Sequence, residues 1–232
     1  KANLILQNLP SKKMLIYTRN LWKDDIFKFW VANQINNRSK LIYGQHGAGY
    51  GLFKGFFGDY FETRISNIFL TWGHSYNITK NSSRIIRCSS PFASKFKNYL
   101  ITKKKVKQNS IISIVPGVGN IFLSRNELFN YPTYENDNLF NFLNYLSKTL
   151  RREIVVKPHP LDKIKSFSHS KSLYQLNKKI KILEPHDNLK KLTLNSKILI
   201  FTSISTEFFK NLSNNVPSIF IIQEFYKKTF NK

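Results

Sequence analysis

Short apolar runs alternate with stretches of helical periodicity along this 232-residue chain, and this alternation constrains the fold more than any other feature. Residues 14–18 form a run of strand length, and in residues 24–35 apolar side chains recur at helical spacing. Because strands alternating with helices pack as a parallel sheet, the sequence predicts an α/β fold. Further strands are predicted at 41–43, 68–73, 84–87, 111–115, 153–157, 180–183, 198–201 and 218–222, and further helices near 138–150, 188–194 and 205–212.

A basic segment interrupts the alternation near the middle of the chain. Residues 95–109 include Lys103, Lys104 and Lys105 and lack apolar periodicity, which is typical of an exposed linker. We therefore predict a first domain in residues 1–94, a linker in residues 95–109 and a second, Rossmann-like domain in residues 110–232.

The chain is strongly basic, with 37 lysines and arginines against 13 aspartates and glutamates and a formal net charge of +24. This charge indicates an anionic partner, which is nucleotide phosphate, acidic lipid or nucleic acid. Biased codon usage is the alternative explanation for part of the lysine excess. The hydrophobic fraction of 41% excludes a disordered chain.

Cysteine content and apolar run length exclude further classes of protein. A single cysteine, Cys88, cannot form an internal disulfide, and no Cys/His cluster predicts a zinc site. No apolar run reaches the roughly 18 residues that a membrane-spanning helix needs. The chain begins with Lys1, and residues 225–232 resemble the start of a helix without a stop signal, so we expect a fragment of a longer protein.

The segment Lys157-Pro158-His159-Pro160 ends a predicted strand. Its two prolines restrict the backbone on both sides of the imidazole, and Lys157 adds positive charge beside it. His159 would then donate to a phosphate or sugar oxygen. The alternative is a tight turn that carries an exposed histidine.

Hydroxyl side chains crowd the segment 202–207, between a predicted strand and the helix after it. The amides at the positive end of that helix, together with Ser203, Ser205 and Thr206, are suited to bind a phosphate. The alternative is an ordinary N-cap, with Ser203 or Ser205 as the cap and Glu207 in the first turn, which stabilises a helix by about 1 kcal/mol. The two interpretations are compatible.

A glycine-rich loop follows the strand predicted at 41–43. Gln45, Gly47 and Gly49 surround His46 in this loop, and glycine lets the backbone approach a ligand closely. His46 is a candidate general base or orienting donor, and the alternative is a structural histidine.

Two carboxylates, Asp59 and Glu62, lie downstream of this loop. Glu62 is the better candidate for deprotonating an acceptor hydroxyl, and a salt bridge with Arg64 is the alternative. Asp24 and Asp25 are expected to cap the first helix. Weaker candidates are Gly117 with Gly119, the isolated His74, His169 and His186, and the tryptophans Trp22, Trp30 and Trp72, which are more typical of a core.

Taken in order, these motifs resemble a known pattern. The stretch 17–73, with IYTRNLW, LIYGQHGAGYG and ETRISNIFLTWG, and then KPHP and TSISTE, resembles largely uncharacterised surface-carbohydrate transferases. More distantly it is similar to bacterial sialyltransferases and Kdo transferases of the GT-B class, whose HP and Ser/Thr-rich motifs bind the donor's cytidine phosphate. CDP-glycerol glycerophosphotransferases are also similar, with Lys157 in place of their arginine and Glu207 as the acid after their Ser-Ser motif.

The resemblance implies a GT-B-like α/β fold of two Rossmann-like domains with parallel sheets, the N-terminal one incomplete in this chain. It implies a glycosyltransferase of cell-surface polysaccharide or glycolipid synthesis that uses a nucleotide-activated, CMP-linked sugar and needs neither metal nor cofactor. His46 or Glu62 would be catalytic, and Gln45, Gly47 and Gly49 would form an acceptor-side loop. The donor phosphate would be bound by Lys157, His159, Pro160, Ser203, Ser205, Thr206 and Glu207.

Three alternatives stay open. A CDP-glycerol-type polyol-phosphate transferase would use His46 as its base, a basic nucleic-acid-binding module would account for the charge, and the chain could be an inactive relative. No recognisable nucleic-acid-binding motif appears in the sequence. The expected partners are a nucleotide-activated sugar, a glycan or lipid-linked acceptor and an anionic membrane surface. The expected location is the cytoplasm, with peripheral association at the inner face of the cytoplasmic membrane as a further possibility.

Overall fold

A computed structural model describes residues 13–19, 21, 24–52, 57–73, 83–102, 111–117, 139, 141–146, 150, 153–160, 180–184 and 186–221. The described residues fall into two compact units, divided between Ser90 and Pro91. We refer to them as the first unit and the second unit. Within these ranges, no helix is both long enough and apolar enough to span a bilayer.

The first unit is built around a parallel four-stranded sheet in the order β1-β2-β3-β4. Because all four strands are parallel, their carboxyl ends lie at the same edge of the sheet. The elements are β1 (Leu15–Thr18), α1 (Asp25–Asn36), β2 (Lys40–Gly44), α2 (Phe57–Ile65), β3 (Ile68–Thr71) and β4 (Arg84–Arg87).

Local sequence accounts for the elements of the first unit. The Asp24 carboxylate accepts a hydrogen bond from the Phe27 amide at 3.0 Å and Asp25 lies in the first turn, which confirms the predicted cap of α1. One face of the sheet is buried and apolar, and the Tyr43 and Phe69 rings stack there with centroids 6.3 Å apart. The helix α2 was not predicted from the sequence. Two polar residues, Glu62 and Thr63, are fully buried in it, and they interrupt the apolar pattern by which a helix is recognised.

The second unit contains a parallel five-stranded sheet in the order β7-β6-β5-β8-β9. The chain runs outward from β5 to β7 and then returns to β8 on the other side of β5. The strand order therefore reverses between β5 and β8, which is the topological switch point of such a sheet. The elements are α3 (Pro91–Thr102), β5 (Ile111–Val115), β6 (Ile154–Val156), β7 (Lys181–Ile182), α4 (Leu189–Asn195), β8 (Ser196–Phe201), α5 (Thr206–Leu212) and β9 (Ser218–Phe220).

The helix α3 corrects the predicted linker. Residues 95–102 are helical, whereas residues 103–109 lie outside the described residues. The apolar periodicity that we had not recognised is the spacing of Phe92, Phe96 and Tyr99: Phe96 is buried, and its ring stacks with that of Tyr99 at 6.3 Å. The wider division into an acceptor-side and a donor-side domain stays a prediction.

The strands and most helices agree with the sequence prediction. Each predicted strand lies within one or two residues of an observed one, and the helices predicted near 188–194 and 205–212 are α4 and α5. Of the helix predicted at 138–150, residues 141–145 are helical and part of the rest lies outside the described ranges. The predicted α/β fold with parallel sheets is confirmed.

We expect Ile114→Ala to lower the free energy of unfolding by about 2–5 kcal/mol, because it removes buried methyl groups and leaves a cavity. Ile114 is fully buried in the centre of β5 and belongs to the core of the second unit. Ile101→Ala, at a position that is 68% exposed in α3, is the matched control and should change stability by less than about 0.5 kcal/mol. Urea unfolding followed by circular dichroism measures both, and equal effects of the two substitutions would contradict this assignment of the core.

Candidate functional site

The loop that leaves β2 is fixed to the end of β3 by Gln45. The Gln45 side chain is buried, and its Nε2 donates to the Gly47 carbonyl at 2.9 Å. The Gln45 Oε1 accepts from the Trp72 amide at 2.8 Å and from the Thr71 hydroxyl at 3.2 Å. Gly49 has a φ of 102°, in the left-handed region that favours glycine. Gln45 therefore holds the loop in place, and Gly49 lets it turn.

His46 lies at the start of this loop, with its side chain 30% exposed. Its Nδ1 is 2.5 Å from the Tyr50 hydroxyl oxygen, and the two rings meet edge to face. Its backbone carbonyl accepts a hydrogen bond from the Arg19 guanidinium at 3.2 Å. His46 is thus held through its ring by Tyr50 and through its backbone carbonyl by Arg19.

Glu62 of α2 has no exposed side-chain surface, and its carboxylate faces Tyr50. The Tyr50 hydroxyl donates to Glu62 Oε2 at 2.6 Å, while Oε1 lies 3.8 Å from His46 Nδ1. His46 and Glu62 were predicted as alternative bases, and the structure brings them together in one cluster through Tyr50. The predicted alternative partner, Arg64, is exposed and places its guanidinium over the Tyr60 ring, 3.7 Å from the centroid.

A second tyrosine, Tyr43 of β2, completes the cluster. Burial raises the pKa of the Tyr43 phenol, and the nearby negative charge of Glu62 and the hydrogen bond to it raise that pKa further. The Leu21 amide donates to the Tyr43 hydroxyl oxygen at 3.0 Å. Neither tyrosine was predicted from the sequence as a functional residue; the available signal for Tyr50 was its position four residues after His46 in a glycine-rich loop.

The candidate site of the second unit lies at the carboxyl edge of its sheet, on either side of β5. The segment 157–160 follows β6 and the segment 202–207 follows β8. Both strands are parallel neighbours of β5, so the two segments lie at the same carboxyl edge of the sheet. The Gly117 amide after β5 donates to the Thr202 hydroxyl at 2.9 Å, and the Lys157 amide donates to the Ile114 carbonyl at 2.8 Å. The two predicted motifs are therefore anchored on either side of β5.

Lys157 is a buried cation in this segment. Its side chain is 4% exposed, and its ammonium donates to the Pro158 carbonyl at 2.7 Å. Burial lowers the pKa of Lys157, and the charge of Asp187 acts in the opposite direction. His159 and Pro160 are exposed. The Lys157 ammonium is therefore covered, whereas the His159 imidazole is accessible.

The segment before α5 contains the predicted N-cap. Ser205 is the cap, since its hydroxyl oxygen accepts from the Phe208 amide at 3.2 Å, while Ser203 is half-buried two residues earlier. Thr206 is the first residue of α5. The Glu207 carboxylate forms an ion pair with Lys210, whose ammonium lies 4.7 Å from the centre of the Phe96 ring. The capping interpretation is thus confirmed for Ser205, and donor binding by the segment stays a prediction.

Several weaker candidates do not join either cluster in the part of the chain that the structure describes. His186 is exposed near Glu184 and Asp187, and Trp72 lies 6.0 Å from the Arg19 guanidinium. Among the described residues, no group of three or more His, Cys, Asp and Glu side chains is placed to hold a metal ion. The candidates Trp22, His74, Gly119 and His169 lie outside the described residues.

Comparison with known proteins gives one family and one fold. Residues 2–231 match the model of the LIC12162 family transferases, which covers almost the whole chain and confirms the predicted enzyme class. No curated protein matches the chain.

Among solved structures, UDP-N-acetylglucosamine 2-epimerase from Rickettsia bellii is similar, with a TM-score of 0.55 and 13% identity over 96% of this chain. The chain spans 59% of the length of that epimerase. The wall teichoic acid polymerase TagF matches with a TM-score of 0.41 and 13% identity, over 97% of this chain and 67% of the polymerase chain. The two parallel sheets and the epimerase match confirm the predicted GT-B-like α/β fold class.

We expect the free energy of unfolding to fall more steeply above about pH 10 in the wild type than in Tyr43→Phe. The folded protein keeps the Tyr43 proton after the unfolded chain has released it, since the folded-state pKa is the higher one. This contribution to stability is complete below the unfolded pKa of about 10 and decreases above it, by up to about 1.4 kcal/mol per pH unit. Denaturant unfolding at a series of pH values measures the slope. Tyr145→Phe, which removes a 91% exposed phenol, controls for the loss of a tyrosine, and equal slopes in wild type and Tyr43→Phe would contradict the assignment.

Proposed function

Because the chain belongs to the LIC12162 family of transferases, we propose that it transfers a sugar from a CMP-linked donor to an acceptor hydroxyl in cell-surface polysaccharide or glycolipid synthesis. The observation that carries the proposal is the position of the segments 157–160 and 202–207 on either side of β5, at the carboxyl edge beside the switch point of the second sheet. In open α/β sheets, ligands bind in the crevice outside the carboxyl ends of the strands at this point.

The chemistry of the second unit suits a phosphate. Lys157 supplies a buried ammonium two residues before the exposed His159, and the hydroxyls of Ser203, Ser205 and Thr206 follow the strand on the other side of β5. Charge develops on the departing nucleotide as its bond to the sugar breaks, and fixed positive groups stabilise that charge. In this proposal Lys157 and His159 assist the leaving group.

The first unit supplies the base. His46 Nε2 removes the proton of an acceptor hydroxyl, and the resulting oxygen attacks the anomeric carbon of the donor sugar. The bond between that carbon and the nucleotide phosphate oxygen breaks, and the nucleotide departs with the bonding electron pair. The partial exposure of His46 and its contact with the buried Tyr50 and Glu62 support this role.

A nucleotide-binding screen with CMP, CDP, UDP and GDP tests the donor. We expect the cytidine nucleotides to bind and His159→Ala to weaken their binding by about 10- to 100-fold, the effect of losing a hydrogen bond to a charged group. Lys197→Ala, an exposed position on β8, is the control and should bind as the wild type does. Binding of UDP or GDP alone would overturn the cytidine assignment. Turnover of CDP-glycerol instead of CMP-sugars would show attack on phosphorus and identify a polyol-phosphate transferase.

The net charge of +24 supports action at an anionic membrane surface, where each nearby Lys or Arg contributes about 1 kcal/mol. We expect the protein to sediment with vesicles that contain anionic lipid and to be released by high salt, which screens these interactions. Vesicles of zwitterionic lipid alone are the control. Equal sedimentation with both kinds of vesicle would contradict a surface location set by charge.

A further inference from the structure

The contacts around His46 form a directed chain of hydrogen bonds that ends on a buried carboxylate. We infer that Tyr50 is a positioning residue that fixes the neutral His46 imidazole with its proton on Nδ1 and its lone pair on Nε2. This inference rests on the proposed function in one respect, because it assigns Nε2 as the atom that receives the acceptor proton.

The direction of each hydrogen bond follows from what each group can donate. A carboxylate has no hydrogen, so the 2.6 Å contact between Tyr50 and Glu62 Oε2 uses the single hydrogen of the Tyr50 hydroxyl. The Tyr50 oxygen is then the acceptor in its 2.5 Å contact with His46 Nδ1. His46 must therefore carry its hydrogen on Nδ1, because the tautomer of a histidine follows from the bonds of its ring nitrogens.

The second tyrosine near Glu62, Tyr43, also accepts a hydrogen bond through its hydroxyl oxygen. The Leu21 amide donates to the Tyr43 oxygen at 3.0 Å, so that oxygen acts as an acceptor there and the Tyr43 hydrogen is available for its hydrogen bond with Glu62. Glu62 Oε2 receives the Tyr50 hydrogen, and the Tyr43 phenol lies near the same fully buried carboxylate. Such donors are what a buried carboxylate requires, since an uncompensated one is costly.

The loop backbone keeps the ring in place for this bond. The left-handed conformation of Gly49 turns the chain so that Tyr50 meets the imidazole four residues before it. Arg19 donates to the His46 carbonyl, and the preceding residue, Gln45, is held at the end of β3 because its Oε1 accepts from the Trp72 amide. The contact therefore sets both the tautomer and the orientation of the ring.

The arrangement also stabilises the imidazolium that forms when Nε2 takes a proton. Nδ1 continues to donate to Tyr50, and the negative charge of Glu62 lies 3.8 Å from Nδ1. Because the His46 side chain is 30% exposed, the proton can pass to water after the sugar has been transferred.

Nitrogen-15 NMR of histidine-labelled protein tests the inference without any substrate. At a pH where the imidazole is neutral, we expect wild-type His46 to show the Nδ1–H tautomer, with its signals identified by their loss in His46→Gln. Tyr50→Phe should shift His46 toward the Nε2–H tautomer, because the oxygen that accepts from Nδ1–H is gone and Glu62 Oε1, at 3.8 Å, lies beyond hydrogen-bond distance. A wild-type Nε2–H tautomer, or an unchanged tautomer in Tyr50→Phe, would overturn the inference.

Two further variants keep the test decisive if Tyr50→Phe folds poorly. Glu62→Gln replaces a pure acceptor with a group that also donates, so the tautomer should no longer be fixed as Nδ1–H. Tyr60→Phe, at an exposed position of the same helix, should keep the wild-type tautomer. A wild-type tautomer in Glu62→Gln would count against the directed chain.

Kinetics separate this inference from the proposed function. We expect Tyr50→Phe to lower kcat by about 10- to 1000-fold with little change in the KM for the acceptor, because the base is misoriented while substrate binding is retained. A kcat that is unaffected in both His46→Ala and Tyr50→Phe would refute the catalytic role of His46 even where NMR shows the Nδ1–H tautomer. The NMR result by itself decides whether Tyr50 fixes that tautomer.

Discussion

Parallel strand pairing is the constraint on which both candidate sites depend. Parallel strands bring their carboxyl ends to one edge of the sheet, so segments far apart in the sequence become neighbours there. Backbone hydrogen bonds continue this pairing beyond the strands: the Gln45 amide donates to the Leu70 carbonyl at 2.9 Å and the Lys157 amide to the Ile114 carbonyl at 2.8 Å. The positions of the residues that follow, His46 and Pro158, are therefore set by the sheets rather than by their loops.

The buried charge of Glu62 explains why the core of the first unit contains tyrosine where phenylalanine would pack as well. The rings of Tyr43 and Tyr50 lie 6.3 Å and 5.9 Å from the ring of Phe69, and all three residues are fully buried. The rings of the two tyrosines fill apolar space, and the Tyr50 hydroxyl supplies a donor to the carboxylate. The same side chains thus serve core packing and the cluster around His46.

The sequence predicted the strands well because each is a short apolar run bounded by polar residues or glycine. It did not predict α2, in which the buried Glu62 interrupts the apolar face of the helix. It also did not predict α3, in which basic residues between the apolar residues hide the apolar face. His46 and Glu62 were both named from the sequence, but their connection through Tyr50 depends on the turn at Gly49 and on α2. Contacts of this kind depend on tertiary structure, which local periodicity does not describe.

Structural and binding roles can coexist in the second unit because a hydroxyl has two lone pairs and one hydrogen. Ser205 caps α5 by accepting the Phe208 amide through a lone pair, and this bond leaves its hydrogen for an anion. Lys157 gives a stronger argument. A turn requires no buried ammonium, and burial disfavours the charge there, as the lowered pKa of Lys157 indicates. In the proposed reaction, a bound phosphate would add negative charge near this ammonium and would act in the same direction as the charge of Asp187.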